Sequence, residues 1–219
     1  MKSLLIFDLD GTLLNTIADM AVCTNYALTK CGFPTHENQM YKYFIGNGIN
    51  TLFERALPEG EKRQENILRV RKCFLEYYAE HDSDYSEPYD GIKALLNSLQ
   101  QRGLKIAVAS NKYQEGTARL VKHFFAEINF VAVFGQREGV PVKPDPTVVF
   151  DILQIANVEK ENALYIGDSG VDMQTANRSG VDAVGVTWGF RPKAELEEFA
   201  PKYICSTVAE LSEYIDLVL

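Results

Sequence analysis

Short apolar runs alternate with amphipathic stretches from residue 88 to the end of the chain, and this alternation restricts the fold more than any other feature of the sequence. A short apolar run predicts a buried strand, and apolar residues at helical spacing predict a helix that covers it. Strands joined by helices pair in parallel, and a parallel sheet is covered on both faces. The sequence therefore predicts an α/β fold of three layers.

The order of the predicted elements indicates where a site would lie. The predicted strands are 4–8, 105–110, 130–134, 163–168 and 183–188, and a further apolar pair, 203–205 and 208–218, closes the chain. The predicted helices between them are 90–102, 114–124, 147–157 and 170–179. Right-handed crossovers place the carboxyl ends of parallel strands at one edge of the sheet, where such folds bind ligands.

Residues 35–83 differ from the rest of the chain because they keep a helical pattern and contain no predicted strand. Two apolar stripes at helical spacing run through them: Ile49, Leu52, Phe53 and Ala56, then Ile67, Val70, Phe74 and Tyr77. A predicted helix over 17–31 precedes them, and Thr16 with Asp19 resembles a capping pair at its start. We expect a small helical domain, 15–85, inserted into a sheet domain made of 1–14 and 86–219.

Composition and charge exclude several classes of partner. Thirty acidic against 22 basic residues give a net charge of -8, which disfavours nucleic acid but not a small phosphorylated substrate, since a metal ion can reverse the charge locally. No apolar run approaches the roughly 20 residues that span a membrane. The first aspartate comes too early for a signal peptide, and the four cysteines lack zinc spacing. We expect a cytoplasmic protein with free thiols, whose oligomeric state the sequence leaves open.

Acidic pairs follow two of the predicted strands. Asp8 and Asp10 end the first strand, and Asp168 with Asp172 follows the strand over 163–168. Close carboxylates repel each other unless they share a proton or a cation, and sites rich in carboxylate oxygens suit Mg²⁺. A polar turn or an acidic helix start would explain either pair alone. Two such pairs at parallel strand ends favour a magnesium site.

Two further segments carry groups that suit a phosphate. Ser110 and Asn111 end the strand over 105–110, where a hydroxyl and main-chain amides can donate to phosphate oxygens. Lys143 lies between prolines in Val-Pro-Val-Lys-Pro-Asp-Pro, so its backbone is held rigid. These flanks indicate a cation directed at one place rather than a mobile surface lysine.

Four motifs taken together resemble the haloacid dehalogenase superfamily in order and spacing. They are Asp8-Leu9-Asp10-Gly11-Thr12, Ser110-Asn111, Lys143-Pro144-Asp145-Pro146 and Gly167-Asp168-Ser169-Gly170-Val171-Asp172. The resemblance covers the whole chain. It implies a Rossmann-like parallel sheet core of the three-layer α/β/α type, with an inserted small α-helical cap domain after the first strand.

The resemblance also implies roles for the motif residues. Asp8 would attack phosphorus to give an aspartyl-phosphate, and Asp10 would act as general acid and then general base. Ser110 and Lys143 would neutralise the phosphoryl oxygens. Residues implied to hold Mg²⁺ are Asp8, the main-chain carbonyl of Asp10, Asp168 and, directly or through water, Asp172. Residues implied to surround the phosphate or the rest of the substrate are Gly11, Thr12, Asn111 and Lys112.

Residues 44–57, and Gly185-Val-Thr-Trp-Gly189, are similar to the subgroup of bacterial phosphoglycolate phosphatases. That similarity implies a phosphatase acting on a small phosphorylated metabolite, with Gly46, Asn47, Gly48 and Arg55 reaching the substrate. A phosphomutase acting on sugar phosphates, an inorganic pyrophosphatase and a non-enzymatic binding module remain alternatives. An acid at Asp10 disfavours dehalogenation, because the dehalogenases of the superfamily lack it.

Overall fold

A computed structural model describes residues 1–219 of the chain. Its strands are β1 (Leu4–Phe7), β2 (Leu14–Asn15), β3 (Glu87–Pro88), β4 (Lys105–Tyr113), β5 (Phe130–Gln136), β6 (Ala163–Gly167), β7 (Asp182–Val186) and β8 (Tyr203–Cys205). Six of them form one sheet in the order β5-β4-β1-β6-β7-β8, and all neighbouring strands in it are parallel. β1 lies inside the sheet. The chain adds β4 and then β5 on one side of β1, and later adds β6, β7 and β8 on its other side.

Helices occupy most of the remaining chain. They are α1 (Ile17–Lys30), α2 (Tyr41–Phe44), α3 (Ile49–Ala56), α4 (Gln64–His81), α5 (Ile92–Gln101), α6 (Gln114–Phe124), α7 (Thr147–Ala156), α8 (Gly170–Ser179), α9 (Lys193–Glu197) and α10 (Val208–Val218). None of these helices combines the length and the apolar character that crossing a lipid bilayer requires.

Alternate residues of β1 face two separate apolar cores. Leu5 and Phe7 pack in a cluster with α5, α6 and α10, whereas Leu4 and Ile6 pack in a cluster with α7, α8 and α9. Successive side chains of a strand point to opposite faces, so a strand that is apolar throughout needs helices on both sides. The expected three-layer α/β/α fold is confirmed.

Helices α1 to α4 surround a third apolar cluster of their own, whose members run from Met20 to Tyr78. Its centre is aromatic: Phe53 packs edge-on against Phe74 with ring centroids 5.2 Å apart, and Phe74 stacks on Tyr78 at 4.8 Å. The single member from elsewhere in the chain is Phe190. We propose residues 15–85 as a cap domain, and "the cap" denotes these residues below.

A short antiparallel ribbon connects the cap to the sheet domain, and the sequence analysis did not predict it. Strand β2 pairs with β3 through Leu14 opposite Pro88 and Asn15 opposite Glu87. The two chain crossings therefore lie side by side. The ribbon was missed because strands of two residues carry no periodic signal. For the same reason the short helix α9 was missed.

The predicted capping pair at the start of α1 is wrong. The Thr16 side chain makes no capping bond; its hydroxyl donates to Asp10 Oδ1 at 2.7 Å. Asp19 is buried and accepts from the main-chain amides of Tyr85 and Ser86 and from the Ser86 hydroxyl, at 2.6–3.2 Å. Both side chains bind distant segments instead of the helix end. Through Asp19, helix α1 at the start of the cap is bound to the segment by which the chain leaves the cap.

Replacing Asp19 with Ala should lower the free energy of unfolding by about 3 kcal/mol, because two main-chain amides and a hydroxyl lose a charged acceptor. Urea denaturation followed by circular dichroism measures the change. Ser86→Ala is the matched control, since it removes only the hydroxyl bond and should cost about 1 kcal/mol. Equal losses in the two variants would contradict the anchoring role of Asp19.

Candidate active site

The carboxyl ends of β1, β4 and β6 meet at one edge of the sheet, beneath the cap. Phe7 lies opposite Val108 on one side and Ile166 on the other, so the residues that follow these three positions are neighbours. Strand order reverses direction at β1, and crevices form at such switch points. A cleft of about 650 Å³, counting the part open to solvent, lies here between the sheet and the cap.

Most of the residues expected at the site line this cleft. From the sheet domain they are Asp8, Asp10, Ser110, Asn111, Lys112, Lys143 and Asp168, and from the cap Gly46 and Gly48. Gly11 and Thr12 lie directly behind: the Thr12 hydroxyl donates to Asp168 Oδ1 at 3.2 Å, and the Gly11 backbone passes so close to that carboxylate that a Cβ would meet Oδ2.

Three buried carboxylates lie together, and one buried ammonium contacts two of them. Oxygens of Asp8, Asp168 and Asp172 lie within 4.8 Å of one another. Lys143 Nζ donates to Asp8 Oδ1 at 2.8 Å and to Asp172 Oδ1 at 2.7 Å. It also contacts the carbonyl oxygen of Ala109 at 2.9 Å, so the lysine is held in one position. One ammonium cannot neutralise three carboxylates, which leaves two negative charges in excess.

Burial and the crowding of like charges shift the pKa values of this cluster. Burial and the charge of Asp172 raise the pKa of Asp8 well above its ordinary value, and the same two causes raise the pKa of Asp168 to about 7. Burial acts to lower the pKa of Lys143, but Asp172 and Asp8 outweigh it and the pKa is raised. A divalent cation would supply the two missing positive charges, and its preferred ligands are carboxylate oxygens. The cluster therefore fits Mg²⁺.

Asp168 and Asp172 are fixed by main-chain groups as well as by side chains. Asp168 Oδ2 accepts from the amide of Phe190 at 2.7 Å. Asp172 Oδ2 accepts from the amide and hydroxyl of Ser169, and the Ser169 hydroxyl accepts in turn from the Asp172 amide, which forms a capping box at the start of α8. The helix start thus sets the direction of the carboxylate.

Asn111 orients the segment that carries Lys143. Its side-chain oxygen accepts from the Lys143 amide at 2.8 Å, and its side-chain nitrogen donates to the Lys143 carbonyl at 2.9 Å. The same nitrogen donates to the carbonyl of Gly46 in the cap at 3.0 Å. The Asn111 side chain therefore binds the backbone of Lys143 and the backbone of the cap at the same time.

Asp10 lies in the cleft apart from the carboxylate cluster and has its own cation. Lys112 Nζ contacts its two oxygens at 3.2 and 3.4 Å, and the Thr16 hydroxyl donates to Oδ1. The ammonium also lies 4.8 Å from the centroid of the Tyr78 ring, which belongs to the cap. Asp10 is thus held between the two domains.

The structure does not bring Asn47 and Arg55 into the lining of the cleft. Arg55 donates to the carbonyls of Tyr43 and Phe44 at 2.9 and 3.3 Å, and to Asn47 Oδ1 at 2.9 Å. The last carbonyls of a helix have no partner within it, so the arginine binds them. Both side chains are occupied within the cap, and their expected contact with a substrate finds no support in this geometry.

Several lining residues were missed by the sequence analysis: Met20, Ile45, Ile49, Leu52, Tyr113, Ser169, Phe190 and Arg191. The apolar ones look like ordinary core positions in sequence. Phe190 and Arg191 follow β7 at the same sheet edge as the motifs. Their position after a predicted strand is the feature of the sequence that indicates a place in the site.

Comparison with known proteins gives a consistent result. A model of the family described as haloacid dehalogenase-like hydrolase matches residues 5–186. A phosphoglycolate phosphatase from Mesorhizobium japonicum is 28% identical over 208 residues, which cover 94% of this chain and 91% of that protein. One from Aquifex aeolicus is 29% identical over 212 residues, covering 97% and 96%.

Solved structures agree over nearly the full length. A protein from Lactobacillus delbrueckii subsp. bulgaricus superposes with a TM-score of 0.89 at 32% identity, over 98% of this chain and 99% of that chain. A protein from Haemophilus somnus, named a predicted phosphoglycolate phosphatase, superposes with a TM-score of 0.90 at 26% identity, over 98% of each chain.

Gly189→Ala should weaken Mg²⁺ binding by about 10- to 100-fold, because the added Cβ would lie 2.4 Å from Asp168 Oδ2 and from the Gly11 carbonyl and would displace the carboxylate. Isothermal titration calorimetry measures the affinity. Gly60→Ala is the matched control, since nothing lies within 4 Å of its Cβ. Wild-type affinity in folded Gly189→Ala would exclude Asp168 as a ligand.

Proposed function

The chain belongs to the family of haloacid dehalogenase-like hydrolases, and on that premise we propose that it is a Mg²⁺-dependent phosphatase of small phosphate monoesters, with 2-phosphoglycolate as its preferred substrate. One observation carries this proposal: buried Asp8, paired with Lys143 and beside Asp168, lies at the strand end that opens into the cleft, and Asp10 lies in the same cleft. This constellation supplies a nucleophile, an acid and positive charge for a phosphoryl group.

The metal would be held by Asp8, Asp168 and the main-chain carbonyl of Asp10, with Asp172 acting directly or through water. When bound, Mg²⁺ neutralises charge on the phosphoryl oxygens and on the attacking carboxylate. Both oxygens of Asp172 already accept from protein donors, which favours a role in orienting Lys143 and Ser169.

The reaction would proceed in two displacements at phosphorus. A carboxylate oxygen of Asp8 forms a bond to phosphorus while the bond to the ester oxygen breaks, and Asp10 donates a proton to that oxygen to release an alcohol. Asp10, now ionised, takes a proton from water as the water attacks phosphorus, and the bond between Asp8 and phosphorus breaks. Inorganic phosphate leaves, and Asp8 and Asp10 return to their initial states.

Ser110 and Lys143 would bind the transferring phosphoryl group. Lys143 is oriented by its bonds to Asp8, Asp172 and the Asn111 side chain, so its charge is preorganised for oxygens beside Asp8. The Ser110 oxygen accepts from the Lys112 amide at 3.2 Å, which leaves its proton free to donate. Preorganised donors lower the barrier because they need not reorient as charge shifts.

The part of the cleft nearer the cap suits a small anionic leaving group. Ile45, Ile49 and Leu52 give this part apolar walls. Lys112 is the cation beside Asp10, and the Gly46 and Gly48 backbone has no side chain in the way. A carboxylate one carbon from the ester oxygen fits this arrangement, and the similarity to phosphoglycolate phosphatases favours the same substrate.

The proposal predicts the order of kcat/KM among candidate substrates. We expect 2-phosphoglycolate to exceed glucose 6-phosphate, glycerol phosphate and pyrophosphate by about tenfold or more, because Lys112 can pair with a leaving-group carboxylate that the other three substrates lack. Release of phosphate measures turnover, and excess chelator should abolish it. Glucose 1-phosphate with a bisphosphate primer tests for a mutase. A higher rank for sugar phosphates would overturn the substrate, and full activity in chelator would overturn the metal.

Asp8→Asn should lower kcat by about 10⁴-fold or more, because an amide is a poor nucleophile and no aspartyl-phosphate can form. Acid quenching of the wild type with labelled substrate should trap phosphate on Asp8, and digestion with mass spectrometry locates it. Circular dichroism controls for folding. Turnover in Asp8→Asn at the wild-type rate would exclude the covalent mechanism.

A further inference from the structure

The loop that follows β7 contacts both the carboxylate cluster and the cap. The Trp188 indole donates to the carbonyl of Thr12 at 3.1 Å, and the Phe190 amide donates to Asp168. The Phe190 ring is a buried member of the apolar core of the cap. Residues 188–191, called the bridging loop below, are therefore packed on both sides.

Arg191 binds the end of a cap helix from the sheet domain. Its guanidinium donates to the carbonyls of Lys42 and of Ile45, the latter at 2.7 Å. Arg55 donates to the two carbonyls between them, Tyr43 and Phe44, from within the cap. The four successive carbonyls at the end of α2 thus accept from two arginines, one from each domain. Apart from Asn111, Arg191 is the only sheet-domain side chain that donates to the backbone of residues 41–48.

Glu195 connects this contact to the helix that carries Asp172. Its Oε2 lies 3.6 Å from Arg191 Nε, and its Oε1 accepts from the Gly170 amide at 2.9 Å. Gly170 begins α8, immediately after the Ser169 cap. A continuous set of polar contacts therefore runs from the cap carbonyls through Arg191 and Glu195 to the start of α8.

We propose that Arg191 is a positioning residue that holds the cap closed over the cleft and aligns it with the carboxylate cluster. The guanidinium is committed to two carbonyls and to Glu195, so its function is to dock the cap rather than to bind the leaving group. Losing these contacts leaves the carbonyls of Lys42 and Ile45 to water, which favours the open cap. The kinetic part of this inference rests on the proposed function, whereas the docking itself does not.

Distance measurement tests the docking directly. Spin labels at Leu68→Cys on α4 and Ile155→Cys on α7, both exposed positions, report the separation of cap and sheet domain by double electron–electron resonance. The background replaces Cys31 and Cys73, the two partly exposed thiols, with Ser. Arg191→Gln should shift the distances to larger values. Arg55→Gln is the matched control, because it removes the same kind of bond from the same helix end without separating the domains.

Kinetics with two esters test what the docking does for catalysis. Arg191→Gln should lower kcat/KM by about tenfold or more for both 2-phosphoglycolate and 2-hydroxyethyl phosphate, whose leaving group is uncharged, because a misplaced cap affects every substrate. Arg191→Lys should give an intermediate loss, since an ammonium cannot reach both carbonyls in the planar geometry of arginine. The loss in Arg191→Gln should exceed that in Arg55→Gln, which measures helix capping alone.

Each outcome decides the proposal. Unchanged distances in Arg191→Gln would overturn it, whatever the rates. A loss confined to 2-phosphoglycolate would overturn it too, by making Arg191 a binding group for the leaving-group carboxylate. Longer distances in Arg191→Gln, in a protein whose wild type hydrolyses neither ester, would support the docking role and reject the proposed function.

Discussion

Three buried carboxylates repel one another, and one buried lysine balances this repulsion only in part. The arrangement of the site depends on this constraint. Asp8, Asp168 and Asp172 come from two strand ends and a helix start, and the folded chain brings them within 4.8 Å of one another. Burying like charges is costly, so each carboxylate needs donors or a cation. The donors are Lys143, the Thr12, Tyr165 and Ser169 hydroxyls and the Phe190 and Ser169 amides, and most of them come from loops that the parallel sheet gathers at one edge.

The close approach of the backbone follows from this concentration of charge. Gly11 and Gly189 enclose Asp168 so tightly that a Cβ on either would lie 2.4 Å from its Oδ2. Glycine at both positions lets main-chain dipoles, rather than longer side chains, surround the carboxylate. The Asp168 carboxylate is thereby kept almost free of solvent, and this burial raises its pKa. The Phe190 amide and the Thr12 hydroxyl already hold this carboxylate in one orientation, and preorganised catalysis needs groups that are oriented in advance.

The sequence was sufficient to predict the fold class and the gathering of the motif residues, because both follow from local periodicity and from the rule that parallel strands share an edge. Helices α6 and α8 have the predicted bounds to the residue, whereas 208–218, noted only as an apolar segment, forms helix α10. Partner choice over long distances was not predictable: Thr16 and Asp19 look like a helix cap, yet one binds Asp10 and the other binds Ser86. Arg55 was ambiguous as well, because an arginine that reaches a substrate and one that binds helix carbonyls look the same in sequence.

The ribbon of β2 and β3 has a consequence for how such a protein can change. Because Asn15 pairs with Glu87, the two ends of the 71 or so residues between them are fixed about 5 Å apart by the ribbon itself. The strand pairing of the sheet therefore does not depend on the length of what is inserted there, provided that the insert begins and ends at adjacent points. A foreign insert joined at Leu14 and Pro88 would therefore leave the register of the six-stranded sheet unchanged, because every strand pairing of that sheet lies outside the insert.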